Sequence, residues 1–182
     1  MFSIFRKKKL DLSTPSSFEK SIIQADEESN DLFDQKIWRD ISKKEDPRAY
    51  MEVIENLAHD GIANCQELVA QWNIIVFEGA RDADTQKFGL RKAIKFGELA
   101  ALSGVTREAA NLPLSMLKLA GILTDENDGY FSDEIEELFN GAYKWYSNNS
   151  NNQLLPSSVR NSAKDMAKQL YEESPELYES SS

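Results

Sequence analysis

Residues 93–121 read AIKFGELAALSGVTREAANLPLSMLKLAG and decide the fold that the sequence predicts. Two segments with apolar residues at helical spacing flank the corner Ser103-Gly104-Val105-Thr106. Glycine adopts the left-handed conformation that ends many helices at little cost. We therefore expect two helices that meet at a tight corner and pack through their apolar faces.

The same helical spacing continues on both sides of this stretch. Asp46-Pro47 is typical of a helix start, because aspartate caps free backbone amides and proline fits the first helical position. Gly61, Gly79 and Gly121 are expected to end helices, residues 80–87 and 148–153 to be loops, and Pro156 to precede the last helix. The sequence thus predicts a mainly α fold of six helices in antiparallel pairs.

The ends of the chain differ in composition from its middle. Residues 1–30 show no sustained periodicity and are expected to form a flexible N-terminal arm, followed by a helical domain over residues 31–172. Residues 173–182 combine glutamates with serines and are expected to be a disordered acidic tail. Within the arm, Phe2, Ile4 and Phe5 precede the basic residues 6–9, so weak contact with a membrane surface is an alternative to a solvated terminus.

Charge and cysteine content restrict the function classes. The 182 residues carry a net charge of −10, which repels nucleic-acid backbones and anionic membranes unless basic residues cluster on one face. No segment approaches the roughly 20 apolar residues that span a bilayer, and the N-terminus lacks the order of a secretory signal. The single cysteine, Cys65, permits no internal disulfide. These features predict a cytoplasmic protein.

An internal repeat relates two parts of the chain. Residues 48–79 match residues 91–121 at an offset of about 43 residues, within the range of helical-repeat proteins. Before the corner, Tyr50 matches Ala93 and Gly61 matches Gly104; after it, the offset drops by one and Trp72 matches Leu114. Small residues let two helices approach closely, so the repeat predicts successive helical hairpins.

Lys92-Ala93, Phe96, Ala100-Ala101 and Gly104 resemble the second helix of a Sel1-like repeat, a relative of the tetratricopeptide repeat. The resemblance covers roughly residues 47–121, with a fragment near Trp145. Leu112-Pro113 stands where the family has Leu-Gly, and the family's glycine loop is absent. The resemblance implies a helical array that binds partner proteins on its concave face and carries no catalysis.

A second resemblance covers residues 97–131. The corner at Gly104, the helix after it and Gly129-Tyr130-Phe131 resemble a winged-helix regulator, which implies a two-stranded hairpin over residues 122–131. In this alternative Thr106 caps the recognition helix, and the residues facing DNA are Thr106, Arg107, Asn111, Ser115 and Lys118. The acidic residues in the hairpin argue against DNA, because they repel phosphate.

The sequence contains no pattern typical of an enzyme. It lacks a nucleotide-binding glycine loop, a metal-ligand cluster and a nucleophile elbow, so we expect no catalytic residue, metal or cofactor. His59 and Cys65 would form a catalytic pair only with spatial contact and an orienting third group. An enzyme of unknown class stays a distant alternative.

The leading hypothesis is a non-enzymatic protein-interaction module, or adaptor. Its groove is expected to bind a partner peptide or helix through aromatic residues, namely Trp72, Phe96 and Trp145. The acidic composition favours a basic partner. The alternative function is that of a winged-helix DNA-binding transcriptional regulator, and only this alternative implies a nucleic-acid partner.

Overall fold

The computed structural model describes residues 10–28 and 36–173, and in these ranges it contains eight helices and no strand. The helices are α1 (Pro15–Glu27), α2 (Lys36–Ile41), α3 (Pro47–His59), α4 (Ala63–Gly79), α5 (Ala83–Leu102), α6 (Thr106–Glu126), α7 (Asp133–Asn151) and α8 (Ser157–Glu173). The predicted mainly α fold is confirmed, with two more helices than expected. The basic N-terminal run and the tail after Glu173 lie outside the described residues.

The chain divides into two compact units, Met1–Val69 and Ala70–Ser182, and the boundary falls inside α4. This differs from the expected single helical domain over residues 31–172. The N-terminal unit includes part of the chain that was expected to be a flexible arm. Sequence periodicity identifies helices but not which of them share a core, so the boundary was not visible in the sequence.

In the N-terminal unit, α1 packs against α3. Thr14 caps α1 by accepting a hydrogen bond from the backbone N–H of Ser17, and Pro15 occupies the first turn. Phe18 is buried against Tyr50, with ring centroids 5.5 Å apart. The expectation of a flexible arm is therefore wrong for Pro15–Glu27. Thr14-Pro15 is a helix-start signal, and Phe18, Ile22 and Ala25 recur at helical spacing, but a run this short does not make a sustained period.

The C-terminal unit is built from helices that pack in chain order, α5 on α6, α6 on α7 and α7 on α8. At Gly89 of α5, an added Cβ would lie only 2.9 Å from the carbonyl oxygen of Asn73, so this crossing requires glycine. Asp82 caps α5 by accepting a hydrogen bond of 2.8 Å from the N–H of Thr85. The predicted loop over residues 80–87 is confirmed only for residues 80–82, since α5 begins at Ala83.

Two corners have the same local geometry. Gly61 after α3 and Gly104 after α5 have φ angles of +95° and +94°. At each corner the glycine N–H and the next N–H bond back to the last turn: Gly61 to Ala58 and Ile62 to Leu57, and Gly104 to Ala101 and Val105 to Ala100. This is the Schellman arrangement, in which glycine permits the positive φ and the two bonds satisfy helix carbonyls. The predicted helix ends at these glycines are confirmed.

A neighbouring helix satisfies the backbone of α6 at Pro113. Proline has no N–H, so the carbonyl of Ala109, four residues earlier, loses its helical donor. The buried amide of Asn149 on α7 donates to that carbonyl instead. α6 passes Gly121 and ends at Glu126, so the predicted hairpin over residues 122–131 is wrong and the winged-helix alternative loses its wing. The predicted break at residues 148–153 is also wrong as far as Asn151, where α7 ends.

Candidate functional site: a groove on helices α4, α6 and α8

The first concave feature of the C-terminal unit is a cavity of about 230 Å³ between α4, α5 and α6. We call it the Glu108 cavity. Helix α5 contributes Ala93 to its lining, whereas most of the lining comes from the other two helices. From α4 come Ala70, Gln71, Ile74 and Glu78, and from α6 come Glu108, Asn111, Leu112, Leu114, Ser115 and Lys118.

A second concavity, of about 480 Å³, lies between α6, α7 and α8. We call it the Tyr146 cavity. Helix α7 contributes Tyr146 and Asn149, and the remaining lining residues come from α6 and α8: Ala110, Asn111, Leu114, Ser158, Val159, Ser162, Ala163 and Met166. None of these side chains is charged. The Tyr146 cavity therefore offers apolar and neutral polar contacts.

The two cavities meet along one exposed face of α6. Asn111 and Leu114 line both of them, and half of the surface of Leu114 is exposed. We call these two adjoining cavities together the groove; α4 lines the first, α8 lines the second and α6 lines both. Large exposed apolar side chains beside concave surfaces are typical of sites that bind other molecules.

The floor of the first cavity carries a buried carboxyl group. Glu108, in the first turn of α6, is only 5 % exposed, and its Oε1 accepts a hydrogen bond of 2.8 Å from Nε2 of Gln71. Burial raises the pKa of Glu108 above its usual value, and the Gln71 hydrogen bond and the charge of Arg107 oppose that rise. Its other oxygen, Oε2, lies 3.3 Å from where a Cβ on Gly97 would be, so glycine at 97 makes room for it.

A third concavity lies on the surface of α5 and is basic. Its lining includes Lys87, Phe88, Arg91 and Lys95. Lys87 pairs with Glu126 at 2.7 Å, and Arg91 pairs with Glu134 at 2.8 Å. These two ion pairs link α5 to the end of α6 and the start of α7, so the charges of Lys87 and Arg91 are compensated within the unit.

The three aromatic residues predicted to bind a partner do not line the groove. Phe96 is 1 % exposed, which makes it a core residue. Trp145 is half-buried and packs against the cluster of Leu112, Met116 and Ala142. Trp72 is half-buried on α4 but is absent from the linings of both cavities. Their size marked them as anchors in the sequence, but large aromatic side chains also fill cores.

The residues assigned to the DNA-binding alternative lie closer to the groove. Asn111, Ser115 and Lys118 line the Glu108 cavity, and Lys118 directs its ammonium group over the ring of Phe77, 5.1 Å from the centroid. Arg107 and Thr106 are half-buried in the first turn of α6. The predicted cap by Thr106 is wrong, because Val105 is the N-cap and makes no side-chain cap bond. The DNA-binding alternative thus named three residues of α6 that line the groove, but it assigned them to DNA and not to a polypeptide.

His59 and Cys65 show no arrangement for nucleophilic catalysis. Cys65 is fully buried, and its burial raises the thiol pKa to about 12. A thiol with this pKa is almost entirely protonated near neutral pH, and the thiolate is the nucleophile. His59 is exposed at the end of α3. The pair thus lacks the activated sulfur that such catalysis requires.

The described part of the chain, residues 10–28 and 36–173, contains neither a metal-ligand cluster nor a membrane-spanning helix. In these ranges no group of three or more metal-ligating side chains is placed to hold an ion. No helix there has both the length and the apolar composition to cross a lipid bilayer. In comparisons with known proteins, no family model, curated protein or solved structure matches the chain. The Sel1-like resemblance therefore stays a prediction.

Proposed function

We propose that the protein is a cytoplasmic interaction module that binds a peptide or a single helix of a partner protein in the groove on α4, α6 and α8. The observation that carries this proposal is the meeting of the two cavities along α6, with half-exposed Leu114 between them. An amphipathic helix laid in such a groove buries the side chains of one face, which recur every three or four residues. The role agrees with the array of helical hairpins that the Sel1-like resemblance implies.

The chemistry of the lining supports a polypeptide ligand. Ile74, Leu114, Val159 and Met166 offer apolar surface, and Asn111 offers an amide that can both donate and accept hydrogen bonds. Methionine adapts to irregular apolar partners because its side chain is unbranched and flexible. The mixture of apolar surface with a few polar groups is typical of ligand sites in proteins.

The proposal is tested by selecting displayed random peptides against the full chain and measuring their affinity by calorimetry. We expect Leu114→Arg to weaken groove-binding peptides about tenfold or more, because a central apolar contact is replaced by a charge. Leu102→Arg is the matched control, since Leu102 is a 73 % exposed leucine on α5 that lines neither cavity. It should leave the affinity unchanged.

Two results would contradict the proposal that a partner polypeptide binds in the groove. One is a set of selected peptides whose affinity is unchanged by Leu114→Arg. The other is tight binding of duplex DNA at low salt that Arg107→Ala abolishes, which would favour the regulator interpretation. Circular dichroism of each variant establishes that it is folded before its affinity is interpreted.

A further inference from the structure

The Glu108 cavity has room for a side chain. Its volume of about 230 Å³ is several times the roughly 30 Å³ that one water molecule occupies in the liquid. Ala93, Ile74 and Leu112 provide apolar walls. Glu108 lies in the lining as a carboxyl group that is nearly removed from solvent. A long side chain with an apolar stem and a polar tip fits this combination.

The carboxyl group of Glu108 has a neutral hydrogen-bond donor but no ion pair in the described part of the chain. Gln71 donates to Oε1, and an amide compensates only part of the cost of burying a negative charge. Lys118 lines the same cavity, but its ammonium group lies over the ring of Phe77. Arg107 is close enough to lower the pKa of the carboxyl group electrostatically, yet burial still outweighs this effect and that of Gln71. A cation from outside would complete the compensation.

We infer that the Glu108 cavity accepts the side chain of a lysine or arginine from the bound partner segment and pairs its cationic group with Glu108. This inference rests on the proposed function, because it identifies the residue class that the groove recognises. The stem of the basic side chain contacts Ile74 and Leu112, while Gln71 keeps the carboxylate oriented. Charge-assisted hydrogen bonds of this kind contribute roughly ten- to a hundredfold to affinity.

The site has a defined pH dependence. The charged and polar residues that line the cavity with Glu108 are Gln71 and Glu78 from α4 and Asn111, Ser115 and Lys118 from its own helix. Arg107 acts on Glu108 electrostatically, and from α5 Ala93 lines the cavity and Gly97 lies beside Oε2. Because burial raises its pKa, Glu108 takes up a proton at a higher pH than an exposed glutamate does. The proton competes with the cation, so affinity for the cation should fall as pH falls through that raised pKa.

The first experiment uses small probes, so that it does not depend on a partner. The full chain is titrated with n-butylammonium, n-butylguanidinium and, as the neutral control, n-butanol, while NMR follows the Gln71 side-chain amide and the Glu108 carboxyl carbon. At least one cation should shift both signals and lower the pKa of Glu108, and the stronger of the two identifies lysine or arginine as the preferred residue. Glu108→Gln keeps the shape and should abolish the cation response.

Results that overturn the inference are equally specific. It is wrong if n-butanol shifts the two signals as strongly as the cations, or if the Gln71 response persists in Glu108→Gln. It is also wrong if neither cation shifts either signal. Circular dichroism controls for folding, and Gly97→Ala provides a second variant, since its Cβ would press on Oε2 from 3.3 Å and should weaken any cation response.

The second experiment separates this inference from the proposed function. Peptides selected against the full chain should contain a lysine or arginine whose replacement by norleucine weakens binding about tenfold or more, and Glu108→Gln should weaken the parent peptide similarly. If Leu114→Arg abolishes binding but Glu108→Gln does not, the groove binds the peptide as proposed and the inferred cation site is wrong. If the small cations bind Glu108 but no peptide binds the groove, the cation site stands and the proposed function is wrong.

Discussion

The corner between α3 and α4 and the corner between α5 and α6 are alike in backbone and different in what they bury. Both have a glycine with φ near +95° and the same pair of hydrogen bonds to the preceding helix. Four residues after each glycine, in the first turn of the second helix, each hairpin buries an ionisable side chain: Cys65 after Gly61 and Glu108 after Gly104. Burial raises the pKa of both groups.

The two buried groups differ in the cost of their charged forms near neutral pH. With a pKa of about 12, the Cys65 thiol stays neutral, and it behaves as a small apolar residue. A glutamate is normally ionised at that pH, so burying the carboxylate of Glu108 costs free energy unless a hydrogen-bond donor or a cation compensates its charge. In the C-terminal unit Gln71 provides part of that compensation, and we propose that a partner's cation in the adjoining cavity provides the rest. The comparison teaches that a repeated turn does not imply a repeated site.

The largest predicted effect comes from placing a carboxyl group at Cys65 of the first hairpin, the position that corresponds to Glu108 in the second. Cys65→Asp should destabilise the N-terminal unit by more than about 3 kcal/mol near neutral pH, because a carboxylate would be buried there without a partner. Asp26 already acts on Cys65 electrostatically and would add repulsion. The measurement is the free energy of unfolding from urea titrations followed by circular dichroism.

The pH dependence of this variant has a definite sign. Burial raises the folded-state pKa of the introduced carboxyl, so the folded state binds more protons than the unfolded state, and stability should rise as the pH is lowered into mild acid. Cys65→Asn is the matched neutral control and should show no such recovery. Equal destabilisation by both substitutions at every pH would mean that size, and not charge, distinguishes the two hairpins.

An intermediate effect is expected at the proline of α6. Asn149→Ala should cost about 1–3 kcal/mol, because it leaves the carbonyl of Ala109 buried without a donor. In the Pro113→Ala background the backbone N–H at position 113 is restored, so the same substitution should cost much less. The double-mutant cycle should therefore give a coupling energy of about 1 kcal/mol or more. Equal costs in the two backgrounds would show that Asn149 does not compensate for Pro113.

The smallest predicted changes in the free energy of unfolding test whether the two glycine corners are equivalent. Gly61→Ala and Gly104→Ala should each cost about 1 kcal/mol and agree within a few tenths, because an added Cβ has nothing within 4 Å and only the positive φ opposes it. Gly121→Ala is the control, since this glycine is exposed inside α6 with open space beside it. It should stabilise by about 0.5–1 kcal/mol. Unequal costs at Gly61 and Gly104 would contradict the equivalence of the two corners.

Sequence reasoning located the corners and the start of α3 because their signals are local. Asp46 accepts a hydrogen bond from the N–H of Ala49, as an N-cap does, and the glycines end helices where a positive φ is needed. It placed the end of α6 wrongly because Gly121 lies in a helix that tertiary packing continues. It also assigned the groove to Trp72, Phe96 and Trp145, whose size is equally suited to filling a core.

Periodicity, caps and glycine act within a few residues of the chain. Because these signals are local, they were enough to predict the helical character of the chain and its two glycine corners. Tertiary packing, by contrast, brings Asn149 to the carbonyl of Ala109, which lies forty residues earlier in the chain and lacks its helical donor because of Pro113. It also decided that Glu108 is buried beneath Gln71 and that Leu114 remains exposed between two cavities. Burial and hydrogen-bond partners depend on which helices pack together, and the local sequence does not specify that packing.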